Sequence, residues 1–347
     1  MTIILPKDNP YLIGQEKAEE LFLDTIKRHT LPHALLISGI EGIGKATFAY
    51  KIARFLLEYN ENQIQSRTNL DVLPTSQTFM QIAGASNPNF KVIERGYTDN
   101  DEKKIIKAIK EGQPLSDDDL QNLKKSMVIK VDEVREIHEF LSKKSFDGAW
   151  RIVLIDSVDD LNLSSANAIL KILEEPPAKS LLLLISHQPN KLLATIRSRC
   201  SKLYLQPLSI QNIAVLLRRY MPELEEKDVQ KLAQISKGSI GKALNYAANN
   251  GLQVYENLQN ILFKGTSFEL SKALELADYA ASDDNIWELT IEFILQLIAD
   301  MVTSREKGKL FLDLYQSVLQ TARITTELNM DKKHAMINII YDIAKAM

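Results

Sequence analysis

LPHALLISGIEGIGKATFAYKIA, residues 31–53, runs from an apolar strand (Ala34 to Ile37) through a turn holding Gly39, Gly42 and Gly44, then through Lys45 into an amphipathic helix. That is the order a phosphate-binding loop requires. Glycines let successive backbone N–H groups turn inward without a Cβ clash, the helix contributes the positive end of its dipole, and a lysine reaches the terminal phosphates. Gly39-x-x-x-x-Gly44-Lys45 meets the pattern. The next position calls for a hydroxyl to hold Mg²⁺, and the chain has Ala46 there, with Thr47 one place later. One residue along a helix turns a side chain by about 100°, so Thr47 is not expected to take over the metal contact. The loop reads as one that holds ATP or ADP while managing Mg²⁺ poorly, a weak or degenerate site.

Downstream, RIVLID (residues 151–156) places four apolar residues before an acid. A buried parallel strand delivers a carboxylate to the C-terminal edge of its sheet in this way, and with a phosphate loop upstream Asp156 falls where Mg²⁺ would be held. ATP-hydrolysing proteins of this architecture place a glutamate next, to activate water; here Ser157 stands in its place and cannot do so at neutral pH. Asp159 and Asp160 read as surface or capping residues. A helix follows over 164–175 with Ser164 or Ser165 as its N-cap, stopped by Pro176-Pro177. SLLLLIS (180–186) is another buried strand, ending in Ser186-His187-Gln188. That polar cluster could touch a γ-phosphate or simply close a strand-end turn. KLLATIRSRC (191–200) begins as a helix and ends in two arginines. Such arginines are usually solvated or salt-bridged, but arginine is also the side chain suited to a neighbouring subunit's phosphate, because its planar fork stays charged and binds in bidentate fashion.

The remaining pattern frames these segments. Ala18, Leu21, Phe22 and Ile26 predict a helix before the first strand, and Phe48, Ile52, Phe55 and Leu56 line the helix after Lys45. A polar stretch at 60–78 and a short strand at Phe90 to Ile93 come next, then a charged insertion over 96–126 with a short helix near 102–111, then a helix over 131–142. The 347 residues suffice for two or three domains, and a net charge of −3 offers no global basic field for nucleic acid. A single cysteine, Cys200, excludes an internal disulfide framework and a cysteine-rich zinc site, so no metal site of that kind is expected. The opening MTIILPKDNPYL is interrupted too soon for a signal peptide and no later run reaches membrane-spanning length, so a cytoplasmic chain without membrane contact is expected.

Taken together, LPHALLISGIEGIGKAT, VDEVREI, RIVLIDSVDDLN, SANAILKILEEPP, LLLLISHQPNKLLATIRSRC and GSIGKAL resemble, in order, the AAA+ clamp-loader subunits of bacterial DNA polymerase III, most closely those of the delta-prime type. The blocks cover roughly the first 250 residues. The resemblance implies an α/β P-loop (AAA+) domain over 1–206, a small helical lid over 207–251 and an all-α collar over 252–347 that joins five subunits in a ring. It further implies partnership with gamma/tau motor and delta subunits in a hetero-pentamer, which acts on a sliding clamp and primed DNA. The motor subunits carry four zinc-binding cysteines after the P-loop helix, a hydroxyl at the position of Ala46, an acid at that of Ser157 and an arginine at that of Gly241; this chain has none of these. It keeps Arg199 in Ser198-Arg199-Cys200, which in the family projects as an arginine finger into the adjacent subunit's ATP site.

Three readings follow from the sequence. The first is a non-motor clamp-loader subunit that completes a neighbour's ATP site through Arg199. The second is an autonomous ATPase of the same fold using Lys45 and Asp156, with Thr47 as metal ligand; the absence of a glutamate after Asp156 weighs against it. The third, a DNA-binding adaptor without an ATP-linked role, is disfavoured by the lack of a long Lys/Arg stripe. Residues 252–347 carry helical stripes (Ile286, Leu289, Phe293, Leu297, Met301; Leu310, Leu314, Val318), which show helical packing and no cofactor chemistry.

Overall fold

Strand β1 (Ala34–Ser38) is buried along its whole length, because parallel neighbours flank both its edges and helices cover both its faces. It pairs with β4 (Ser180–Ser186) from Ala34↔Leu182 to Ser38↔Ser186, and with β5 (Ser201–Tyr204) from Leu35↔Ser201 to Ser38↔Tyr204. β3 (Arg151–Asp156) lies on the far side of β4 and β2 (Phe90–Glu94) beyond it, giving the parallel order β2-β3-β4-β1-β5. All five strands therefore point the same way, and β1 and β3 deliver their C-terminal residues to one edge, a single strand apart. The computed structural model describes residues 4–59, 61–111, 123–142, 149–263, 270–302 and 308–346. Part of the charged insertion, residues 112–122, lies outside these.

The period-two alternation of the strands divides their side chains between two cores. Leu35, Ile37, Ile152, Leu154, Leu181 and Leu183 meet Phe22 and Ile26 of α1 (Glu16–Lys27) and Phe48, Ile52 and Phe55 of α2 (Lys45–Glu58). On the opposite face, Leu36, Val153, Ile155, Leu182 and Leu184 meet side chains from later helices. Between them the chain forms α3 (Gln77–Ala83) and α4 (Asp99–Glu111), then α5 (Val131–Ser142), which contributes Val134, Ile137 and Leu141 to that second core. α6 (Leu163–Glu174) adds Ile169, Ile172 and Leu173. Its N-cap is Asn162, whose side chain accepts from the Ser165 amide at 2.9 Å, rather than either serine. Ser165 is fully buried and donates its hydroxyl to the Ile129 carbonyl at 2.7 Å, so it links α6 to the segment before α5. The helix expected from residue 191 is reduced to a 3-10 turn (Pro189–Lys191) and one short turn, α7 (Ala194–Arg197). α3 and β5 had no signal strong enough to read in advance, being a seven-residue helix and a four-residue edge strand with only Leu203 buried.

Arg54 of α2, itself 2% exposed, ties the N-terminal segment to this domain. Its guanidinium donates to the Asn9 carbonyl at 2.9 Å and to the Lys7 carbonyl, and lies 3.9 Å over the Phe79 ring. Burial lowers its pKa to about 10, against the opposing pull of Asp8.

Contacts divide the chain into two units, Met1–Pro222 with Lys237–Gly241, and Glu223–Ser236 with Lys242–Met347. The first unit ends in α8 (Ile210–Tyr220). The second is helical throughout its described residues, from α9 (Glu226–Ile235) and α10 (Ile240–Ala248, whose first two residues fall in the first unit) onward. α11 (Gly251–Phe263), α12 (Leu270–Ala281), α13 (Asp284–Val302), α14 (Gly308–Glu327) and α15 (Lys332–Ala346) complete it. Leu289, Phe293 and Leu297 of α13 are buried, as are Leu314 and Val318 of α14, whereas Leu310 turns outward. Among the described residues no helix is long and apolar enough to cross a membrane.

Phe48 is fully buried in the first core on the helix that carries Lys45. Replacing it by alanine is expected to lower the stability of the first unit by about 3–5 kcal/mol, read from the urea midpoint of unfolding.

Candidate functional site

The turn after β1 needs backbone conformations that a Cβ would resist. Gly42 (φ 75°) and Gly44 (φ 96°) are both left-handed, and Gly44 serves as the N-cap of α2. Lys45 opens that helix and folds back over the loop, its Nζ donating to the carbonyls of Gly39 at 2.8 Å and Ile40 at 2.7 Å. The side chain is 4% exposed, and burial lowers its pKa from 10.5 to about 8, against the opposing pull of Glu41, Asp156 and Asp159. Ala46 packs against the first core, and Thr47, at 8% exposure, lies inside α2's buried face.

Asp156 ends β3 on the same edge. Burial raises its pKa, which His187 and Lys45 oppose, so the acid and the lysine sense one another across β4. Ser157 is 4% exposed and its hydroxyl makes a long 3.5 Å donation to Asp160 Oδ2, while Asp160 pairs with Arg95 at 3.4 Å. Asp159, which reads as a surface or capping residue, caps the end of β4. The 3-10 turn Val158–Asp160 curls it back to the sheet edge, where Oδ1 accepts from Ser186 Oγ at 2.8 Å and Oδ2 from the His187 amide at 2.5 Å. The polar end of β4 is thus a closed strand-end turn in which Ser186 is already satisfied. His187 keeps its Nδ1 buried with no hydrogen-bond partner among the described residues, near enough to Asp156 to act on its charge. Period-two reading could not find the Asp159 link, because it depends on a turn that reverses within three residues.

A second turn covers the loop. Gly241 donates its amide to the Gly42 carbonyl at 2.9 Å, and a Cβ on Gly241 would stand 2.8 Å from the Gly42 Cα. A Cβ on Gly42 would in turn stand 2.3 Å from Ser239 Oγ. The two glycines define each other, and no side chain at 241 fits this arrangement.

Arg199 stands elsewhere. Ser201 pairs with Leu35 at the start of β5, so Arg199 belongs to the end of the sheet where the strands begin, with the length of β1 and then the glycine turn between it and Lys45. Four strand residues alone span roughly 13 Å. The Ser-Arg-Cys order has a local logic: Cys200 is buried in the second core beside Ile196, and Ser198 Oγ donates to the Thr195 carbonyl at 3.1 Å. Arg199 between them is held outward, 35% exposed, with Nη1 on the Thr195 carbonyl at 3.0 Å and Nη2 on Glu174 Oε1 at 2.8 Å. Arg197, by contrast, turns back to the Pro189 carbonyl at 3.4 Å. Of the residues singled out by sequence, the structure gathers Gly39, Gly42, Gly44, Lys45 and Asp156 at one edge and leaves Arg199 apart.

A parallel sheet of this order, with a glycine loop and lysine after β1 and an acid ending β3, defines an α/β P-loop module of the AAA+ class. The family described as DNA polymerase III, delta subunit, matches residues 14–209, and the chain belongs to it. The DNA polymerase III subunit tau/gamma of Haemophilus influenzae is 30% identical over 69% of this chain and 30% of its own length. The delta' subunit of Escherichia coli is 37% identical over 37% of this chain and 38% of its own. That of Bacillus subtilis is 23% identical over 90% and 85%. The chain spans about a third of the length of the first curated relatives it matches.

The arrangement fits phosphates, through left-handed glycines, a buried ammonium and the start of α2. It does not fit a magnesium-dependent hydrolytic centre, since Ala46 offers no oxygen and Ser157 no base. Lys45 is expected to titrate near pH 8 in the folded chain, measured from its Cε chemical shift. Between that value and the unfolded 10.5 the folded chain binds fewer protons, so the contribution of Lys45 to stability rises with pH across this window and is lost as pH falls through about 8. Asp159→Ala, which strands the Ser186 hydroxyl and the His187 amide, is expected to cost about 1–3 kcal/mol in denaturant unfolding.

Proposed function

We infer that this chain is a delta-prime-like subunit of the DNA polymerase III clamp loader, which helps to load a sliding clamp onto primed DNA and lends Arg199 to the ATP site of a neighbouring gamma/tau-type subunit. In this reading residues 1–206 form the AAA+ module, 207–251 its lid and 252–347 a collar that seats it beside motor and delta subunits. The observation that carries the reading is the placement of Arg199. Its half-exposed guanidinium stands at the end of the sheet remote from Lys45, out of reach of its own loop and on a side that another chain's loop could approach. A guanidinium brought to a γ-phosphate stabilises the charge that develops during transfer.

The chain's own loop supports a lesser role. Gly39, Gly42, Gly44 and Lys45 would hold the phosphates of ATP or ADP, which would take the place of the Gly39 and Ile40 carbonyls on the lysine ammonium. Asp156 is half-buried with a raised pKa, and Ser157 follows it in place of a base. The retained lysine and glycines favour one second reading, an ATPase in its own right of the gamma/tau kind.

Both are tested by ATP turnover of the complex reconstituted with gamma/tau and delta subunits, clamp and primed DNA. Arg199→Ala is expected to lower turnover on the order of a hundredfold or more, and Lys45→Ala to leave it within about twofold. Appreciable turnover by the isolated chain, abolished by Lys45→Ala and indifferent to Arg199→Ala, would establish the second reading instead.

A further inference from the structure

We propose that Glu174 is the positioning residue for Arg199: its carboxylate fixes the guanidinium in the one orientation from which it can reach a neighbour's phosphate. The inference rests on the reading of Arg199 given above. Glu174 is the last residue of α6, which Pro176 and Pro177 prevent from continuing. A helix ends in unpaired carbonyls and the negative end of its dipole, a place that favours a cation. Arg199 stands there with Nη2 on Glu174 Oε1 at 2.8 Å, while Nη1 is held by the Thr195 carbonyl at 3.0 Å. Two acceptors on different elements, α6 and α7, thus take one N–H from each terminal nitrogen. A planar fork gripped at both tips has its plane fixed, and each tip keeps a second N–H for another acceptor.

Stability does not account for the pair. The side chains are 35% and 50% exposed, and ion pairs in that setting contribute little to folding. Order is what the pair supplies. An unrestrained arginine samples many rotamers, and a phosphate arriving from another chain would meet it correctly oriented only part of the time. The neighbouring acid Glu175 is also exposed and the nearby Arg197 is tied to Pro189, so the pairing of Glu174 with Arg199 is specific among adjacent charges.

The test is a double-mutant cycle in the reconstituted complex, following kcat and KM for ATP separately. Glu174→Ala is expected to lower kcat on the order of tenfold with KM little changed, Glu174→Gln, which still accepts a hydrogen bond, to restore most of it, and Glu174→Ala to add nothing once Arg199 is alanine. Losses that multiply in the double variant would overturn the inference, because Glu174 would then act independently of Arg199. Unchanged or increased turnover in Glu174→Ala would overturn it too, the increase showing the pair to be a restraint that the ring must break. Full activity in Arg199→Ala alone would remove the arginine-finger reading itself and this inference with it.

Discussion

Everything of functional interest in the first unit is dictated by a sheet whose central strands have no free face. β1, β3 and β4 are covered above and below, so their side chains are committed to two dry cores and their polar termini can emerge only at the edges. Because the strands are parallel, like ends gather together. The phosphate loop and Asp156 meet at one edge for that reason, and the chain must return to the other edge before each new strand, which is where α6 ends and Arg199 precedes β5. Two chemically distinct surfaces follow from one topological fact.

Their electrostatic characters differ accordingly. At the loop edge burial dominates: Lys45 is pushed down, Asp156 is pushed up, and each partly relieves the other. Beside this pair Ala46 brings no oxygen and Ser157 no carboxylate. At the opposite edge the arginine is partly solvated and lies against a carboxylate and a carbonyl on two elements. The first edge can hold charge and the second can present it.

Much of this was readable from residue order. The apolar run before Gly39, the RIVLID strand and the stop at Pro176 specify β1, β3 and the end of α6, since burial and proline geometry act locally and strongly. Where reading failed, a non-local contact had taken over. Ser165 looks like a cap but is drawn into the core by the Ile129 carbonyl, leaving the cap to Asn162. Asp159 reads as a surface or capping residue, but that it caps the end of a strand some 27 residues away is fixed only by the fold. The mutual dependence of Gly42 and Gly241 joins residues about two hundred positions apart, and no pattern of either neighbourhood announces it.

The buried Arg54 carries one more implication. It grips the N-terminal segment through the carbonyls of Lys7 and Asn9, groups that every amino acid possesses. The segment's own side chains add to this grip: the Asp8 carboxylate acts on the guanidinium, Lys7 donates to the Ala83 carbonyl and Asn9 donates to the Tyr220 hydroxyl. A chain shortened past Asn9 would leave a buried cation without the two carbonyls that meet it, so residues 7–9 belong to the foundation of the first unit rather than to its periphery.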